Sequence, residues 1–312
     1  MGVAGGFASR LPSAIFFSMF RLPCFRSSHI ATFLLALVAL ACSGGTPRGP
    51  RPAPTPVPVA DPVDPLASPW VVRRTGARVA QTIRIDATID ASVDSLTPAP
   101  VDTMQSELTA EWSVPTTGFP QRYVGSVTAY RVANAADSAL LPQGLAVPFA
   151  FTAEQRTPGQ QPTFTTPDGA SCDAPHAVIV HGVRDLWLSL PDTLVTGQTW
   201  QDSGRYVVCR DSIPLQTEVE RTFRVTGAMR RGRAVIVTVE RRTMTRFAGT
   251  GTQFGEPVSI SGTGTGAVML EVALEDGIIV FASGDSELQV TLRGRRRTQE
   301  VTQRSRIAIF GR

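Results

Sequence analysis

The chain has 312 residues, of which 42% are hydrophobic, 18% charged and 7% aromatic, with a formal net charge of +4. This balance excludes a wholly disordered chain and a multispan membrane protein, and it fits one or two globular units. No lysine occurs, so all 30 Lys+Arg positions are arginine, which excludes Schiff-base lysines, the Walker A lysine and the Ser-Lys dyad.

Segment 1–41 carries Arg10, Arg21 and Arg26, no acidic residue, and an apolar run of 11 residues from Ala31 to Ala41 (ATFLLALVALA). A run this short does not span a bilayer and has the form of a signal-peptide core. Met19 would open a leader of conventional length, so Met1 and Met19 are both candidate starts. Ala39-Leu40-Ala41-Cys42 resembles the lipobox of bacterial lipoproteins, in which the cysteine receives a diacylglyceryl group before cleavage. The resemblance implies a signal peptide over 1–41, lipidation of Cys42 and a membrane partner reached through the lipid anchor. An ordinary secretory signal cut nearby is the alternative. By the enterobacterial sorting rule, Ser43 in place of aspartate implies the outer membrane, facing the periplasm, with the cytoplasmic membrane or secretion as alternatives.

Residues 42–69 hold the lipobox cysteine and a proline-rich stretch from Thr46 to Pro69 that contains no aromatic residue. Such a stretch settles into extended polyproline II and reads as a semi-rigid linker. Loss of the three leader arginines takes the net charge from +4 to +1, so the charge indicates no nucleic-acid partner. Its distribution is uneven. Asp86, Asp90, Asp94, Asp102, Glu107 and Glu111 come early, and Arg293, Arg295, Arg296, Arg297, Arg304, Arg306 and Arg312 come late. This reads as a solvated basic face, or as a surface attracted to anionic lipid or polymer. Of the 4 cysteines, Cys24 leaves with the leader and Cys42 takes the lipid. Cys172 and Cys209 remain, and pairs in exported domains are usually disulfides.

Residues 70–312 read as an antiparallel β domain. Ile83, Ile85, Ala87, Ile89, Ala91 and Val93 alternate with Arg84, Asp86, Thr88, Asp90, Ser92 and Asp94, a period of two. Leu108 to Val114 repeats the pattern, and Tyr123–Val132 and Leu145–Thr152 are further strands. One helix is expected from about Ala174 to Ser189, capped by Asp173, with Pro175 in its first turn and Pro191 beyond its end. A second set of strands follows at Gly204–Ile213, Thr217–Thr226, Ala234–Phe247, Val258–Leu274, Ile278–Ser283 running into Glu287–Arg293, and Gln299–Phe310. Short turns at Arg231-Gly232, Glu275-Asp276-Gly277 and Arg293-Gly294 join them into a meander. The expected fold is mainly β: a long curved antiparallel sheet or half-barrel with one central helix. The run Leu186–Trp200 (LWLSLPDTLVTGQTW) is similar to a turn in uncharacterised bacterial envelope lipoproteins, and the layout loosely resembles the lipoprotein-carrier half-barrels.

Candidate chemistry is sparse. Cys172, His176 and His181 offer zinc ligands, but five residues separate the histidines where one helical face needs three or four. Asp86, Asp90 and Asp94 share a strand face, without the glycine-turned loop of a calcium site. The glycine runs Gly249–Gly255 and Gly262–Gly266 resemble phosphate loops only superficially, and within strands they read as points of curvature or close approach. No G-x-S-x-G elbow occurs. No catalytic residue, metal or cofactor is therefore assigned. The expected function is an envelope lipoprotein of structural or binding role, with an envelope-protein or lipid partner. The alternative is a carrier that holds a lipid or other amphiphile on the concave face of its sheet.

Overall fold

The computed structural model describes residues 61–62, 68–93, 102–113, 119–134, 146–169, 175–210, 213–253, 255–295 and 297–311. In chain order the elements are β1 (Asp61–Pro62), β2 (Trp70–Val71), β3 (Arg78–Val93), β4 (Asp102–Ser113), β5 (Gln121–Asn134), β6 (Phe149–Gln155), β7 (Thr163–Thr165), α1 (Pro175–Leu186), β8 (Thr193–Leu194), β9 (Thr199–Arg210), β10 (Ile213–Arg231), β11 (Ala234–Gln253), β12 (Glu256–Ala273), β13 (Ile278–Gly294) and β14 (Thr298–Gly311).

Among the described residues twelve strands form one sheet, ordered β1-β10-β11-β12-β13-β14-β3-β4-β5-β6-β7, with β9 also paired to β10. The pairings are antiparallel, and β14 lies against β3 with Ile307 opposite Ile85. The two sets of strands apparent in the sequence are therefore one continuous sheet. It is the curled antiparallel meander with one helix that the period-two pattern predicts. Near its start, β2 pairs with β8, Trp70 lying opposite Leu194. Within the proline-rich stretch, Asp61 and Pro62 lie beside Arg230 and Met229.

Several strands run longer than expected, β9 from Thr199, β10 to Arg231 and β11 to Gln253, and three other boundaries differ for a local cause. The helix ends at Leu186 rather than Ser189, because side chains of the sheet take the next carbonyls. Arg221 donates to Trp187 O at 3.1 Å and the Trp200 indole to Ser189 O at 2.9 Å. The strand expected to run through Ile213 ends at Arg210, and Ile213 instead opens β10. Pro214 takes the second position of that strand, where its missing N–H is tolerated. The strand expected from Leu145 is β6, beginning at Phe149 directly after Pro148.

Curling brings the two sheet edges together at one place. Gln161 N donates to Ser203 O at 2.8 Å and Ser203 N donates to Gly159 O at 2.9 Å, joining the segment after β6 to β9 in a short parallel bridge. Inside the curl lies α1, where Ile179, Val180, Val183 and Leu186 are buried in one cluster with Ile83, Leu108, Phe151, Phe223, Val237, Val239 and Leu270. A second cluster of Ile89, Ile213, Leu215, Ile260, Val290 and Val301 fills the far end of the long strands. Glycine permits the close approach there. A Cβ on Gly262 would sit 2.4 Å from both the Phe247 ring and Gln289 O, and one on Gly264 would sit 2.8 Å from Leu288. The Gly262–Gly266 run thus lies within β12, where neighbouring side chains fold across it.

The inner face is apolar and the outer face polar. Along β10, Val219, Phe223 and Val225 are buried, and Glu218, Glu220, Thr222 and Arg224 are exposed. This is the reverse of a transmembrane β-barrel, whose outward band is apolar.

Candidate functional site

The C-terminal end of α1 is gripped by arginines that sit at inward positions of the strands. Arg221 donates through Nε and Nη2 to the two carboxylate oxygens of Asp202 at 2.7 and 2.6 Å, with side-chain exposures of 2% and 1%. Its Nη1 reaches Arg184 O and Trp187 O at 3.2 and 3.1 Å. Arg241 donates to Asp185 O at 2.8 Å and lies 4.0 Å from Asp185 Oδ1. Its pKa is lowered to about 10 by burial, against the opposing charge of Asp185. Cations at a helix C-terminus are favoured because the last carbonyls carry partial negative charge.

A third arginine, Arg184, turns the other way, into a cavity of about 570 Å³ between β7, α1 and β9. The cavity lies beside the bridge at Ser203, where the edges of the curled sheet meet. Its walls include Phe164 from β7, Ala177, Val180 and His181 from α1, and Tyr206 and Val207 from β9. The Arg184 guanidinium is 4.0 Å from the Tyr206 ring centre and 4.7 Å from that of Phe164. It donates to Pro162 O at 2.9 Å and to His181 Nδ1 at 3.4 Å. Only 9% of the residue is exposed. Burial lowers its pKa to about 10, which still leaves it charged at neutral pH. His181 stacks on Tyr206 with ring centres 5.4 Å apart. Burial, aided by the charge of Arg184, lowers its pKa to about 4, so the imidazole is neutral near pH 7. Burial also raises Tyr206 to about 12, keeping the phenol protonated.

On the outer face, at mid-length of six strands, lies an open depression of about 1180 Å³ bordered by Asp86, Glu220, Arg242, Asp285, Glu287, Arg304 and Arg306 among others. The late arginines do not form a basic face here. Arg304 pairs with Glu287 at 3.1 Å and Arg306 with Asp285 at 3.9 Å, while the register sets Arg306 opposite Asp86. The uneven charge of the sequence becomes alternating cross-strand pairs once β14 lies between β13 and β3.

Of the residues singled out in the sequence, Cys42, Cys172 and Asp94 lie outside the described residues, and Cys209 is described only as backbone of β9. His176 and His181 take separate partners. His176 Nδ1 lies 2.9 Å from Asp168 Oδ2 and its ring packs on Phe149, whereas His181 faces Tyr206. The concave face expected to receive an amphiphile is occupied by α1, whose Ile179, Val180, Val183 and Leu186 are buried against it. Open volume is found instead at the seam and on the outer face. Sequence reasoning missed Arg184, Arg221 and Arg241. The last two had a signal: each is an arginine at an apolar-register position of a period-two strand.

No family model and no curated protein matches the chain. Among solved structures, 75% of the chain is similar to 98% of Pseudomonas aeruginosa OpdQ, at 9% identity and a TM-score of 0.23. A further 78% match covers 98% of OpdO of the same organism, at 7% identity and a TM-score of 0.19. Overlap this low assigns neither a fold family nor a function.

Proposed function

We propose that the chain is a lipid-anchored envelope lipoprotein whose sheet domain serves a binding role and no catalytic one. The anchor reading is supported by the apolar run that stops at Cys42 and by the proline-rich stretch that separates this cysteine from Trp70. Acyl chains contribute roughly 0.8 kcal/mol per buried methylene, and two or more hold a protein stably on a membrane. Ser43 favours the outer membrane, with the domain in the periplasm.

The observation that carries the binding role is the pairing of a filled core with an open seam. The sheet's apolar face is satisfied internally by α1, and the cavity beside Arg184 remains. A concave, largely apolar pocket with a few convergent polar groups is the usual form of a small-molecule site. The anchor is tested by Cys42→Ala, which should move the protein from the membrane to the soluble fraction with an unchanged circular dichroism spectrum. Mass spectrometry of the native protein should give a mature chain starting at an acylated Cys42. Unchanged membrane association of the variant would overturn the lipoprotein assignment.

A further inference from the structure

We infer that the seam cavity binds a small organic anion with an aromatic body, its negative group on Arg184 and its rings against Phe164, Tyr206 and Val180. A guanidinium removed from water needs a counter-charge or a full set of acceptors. Among the described residues the other two buried arginines have a counter-charge, Arg221 in Asp202 and Arg241 in Asp185. No carboxylate lies within ion-pair distance of Arg184 among the described residues. Its hydrogen-bond partners are the neutral Pro162 O and His181 Nδ1, and its faces rest on two rings. Asp185, the next residue, is directed to Arg241. Among the described residues the positive charge thus borders the cavity with no carboxylate in ion-pair contact, and an anionic ligand would supply that contact.

The walls select the rest of the ligand. His181 is neutral near pH 7, so its ring extends the aromatic surface and adds no second cation. Val180, Phe164 and Tyr206 offer apolar or aromatic faces, and Gln161, Thr163 and Thr166 are polar groups of the same lining. Arg205, also in the lining, is engaged by Glu218 at 3.0 Å. A cationic ligand would meet Arg184 directly. A neutral one would displace water from the guanidinium without replacing its charge interaction.

This assignment gives a ligand class to the binding role proposed above and rests on that role, not on the membrane anchor. The test therefore uses the full chain carrying Cys42→Ala, so that failure of the anchor appears in fractionation and failure of the site appears in binding. Calorimetric titration with 2-naphthoate and with its neutral isostere 2-naphthamide should show the anion bound at least about tenfold more tightly, the scale of one charge-assisted contact. Arg184→Gln should abolish that preference. Ala177→Trp, which fills the cavity from the first half of α1 without touching Arg184, should abolish binding of both compounds while circular dichroism stays unchanged. Equal affinity for the two compounds, no binding of either, or a preference that survives Arg184→Gln would each overturn the inference. If Arg184→Gln fails to fold, the preference of the parent chain and the Ala177→Trp titration decide the matter.

Discussion

Replacing Asp202 with asparagine isolates the charge that allows Arg221 to be buried. The two side chains are 2% and 1% exposed and share two hydrogen bonds at 2.7 and 2.6 Å. Asparagine keeps the shape and one acceptor, but it sets an amide donor against a guanidinium donor and removes the negative charge. Arg221 would then stand uncompensated, with its Nη1 still on the carbonyls of Arg184 and Trp187. Removing one partner of a buried ion pair costs about 3–5 kcal/mol, a large share of the roughly 5–15 kcal/mol that holds a domain folded. At about 2–4 °C per kcal/mol for a domain of this size, the melting temperature should fall by roughly 10 °C. The double variant Asp202→Leu/Arg221→Met should lose less than the single one, since no buried charge is left alone. Its remaining loss would reflect the carbonyls of Arg184 and Trp187 deprived of a donor, about 1–3 kcal/mol each if unsatisfied. Urea denaturation of parent, single and double variants gives the comparison. A loss below about 1 kcal/mol for Asp202→Asn would refute the view that this pair clamps the helix to the sheet.

Acidification should weaken the fold through His181. Its folded pKa is about 4 against an ordinary 6.5, so between these values the unfolded chain binds more protons and stability declines as pH falls. The decline should approach 3 kcal/mol, at roughly 1.4 kcal/mol per unit, and should vanish from pH-dependent urea curves of His181→Phe. Val237, fully buried beside α1 in the main cluster, should not tolerate glutamate. Val237→Glu should abolish the cooperative thermal transition, and a folded variant would mean that the inner face is emptier than its contacts imply. Cys172 and Cys209 should resist thiol labelling until the protein is reduced, and immediate labelling of both would exclude the bridge.

Local pattern accounts for most of the sheet and for little of the seam. The alternation of Ile83, Ile85, Ala87 and Ile89 with polar residues describes β3 fully, because one buried face imposes a period of two on any strand. Ile213 is expected to close a strand and instead opens β10, where Pro214 is tolerated because the cost of a missing donor depends on whether the position needs one. Ile278–Ser283 runs into Glu287–Arg293 as expected, forming the single strand β13. Gly284, Asp285 and Ser286 between them keep ladder partners in Val268, Ala267 and Gly266. Small residues in a strand weaken it locally, and long neighbours on both sides hold it in place.

The seam depends on closure, which is a property of the whole sheet. Arg184 stands in the last turn of α1, where the helix dipole favours a cation and long side chains usually reach water. Its burial requires Phe164, twenty positions before it, and Tyr206, twenty-two positions after it, to arrive on opposite sides once the segment after β6 bonds to Ser203. No periodicity carries that information. Arg221 and Arg241 differ in this respect, because each occupies an inward slot of a period-two strand, Arg221 between Val219 and Phe223 and Arg241 after Val237 and Val239, and so announces a buried charge that needs an acid or a helix end. Asp202 and the carbonyls of α1 answer that need, and the same comparison singles out Arg184. All three cations are held against one short helix, two have carboxylates, and the third borders the cavity beside the bridge where the two edges of the sheet meet.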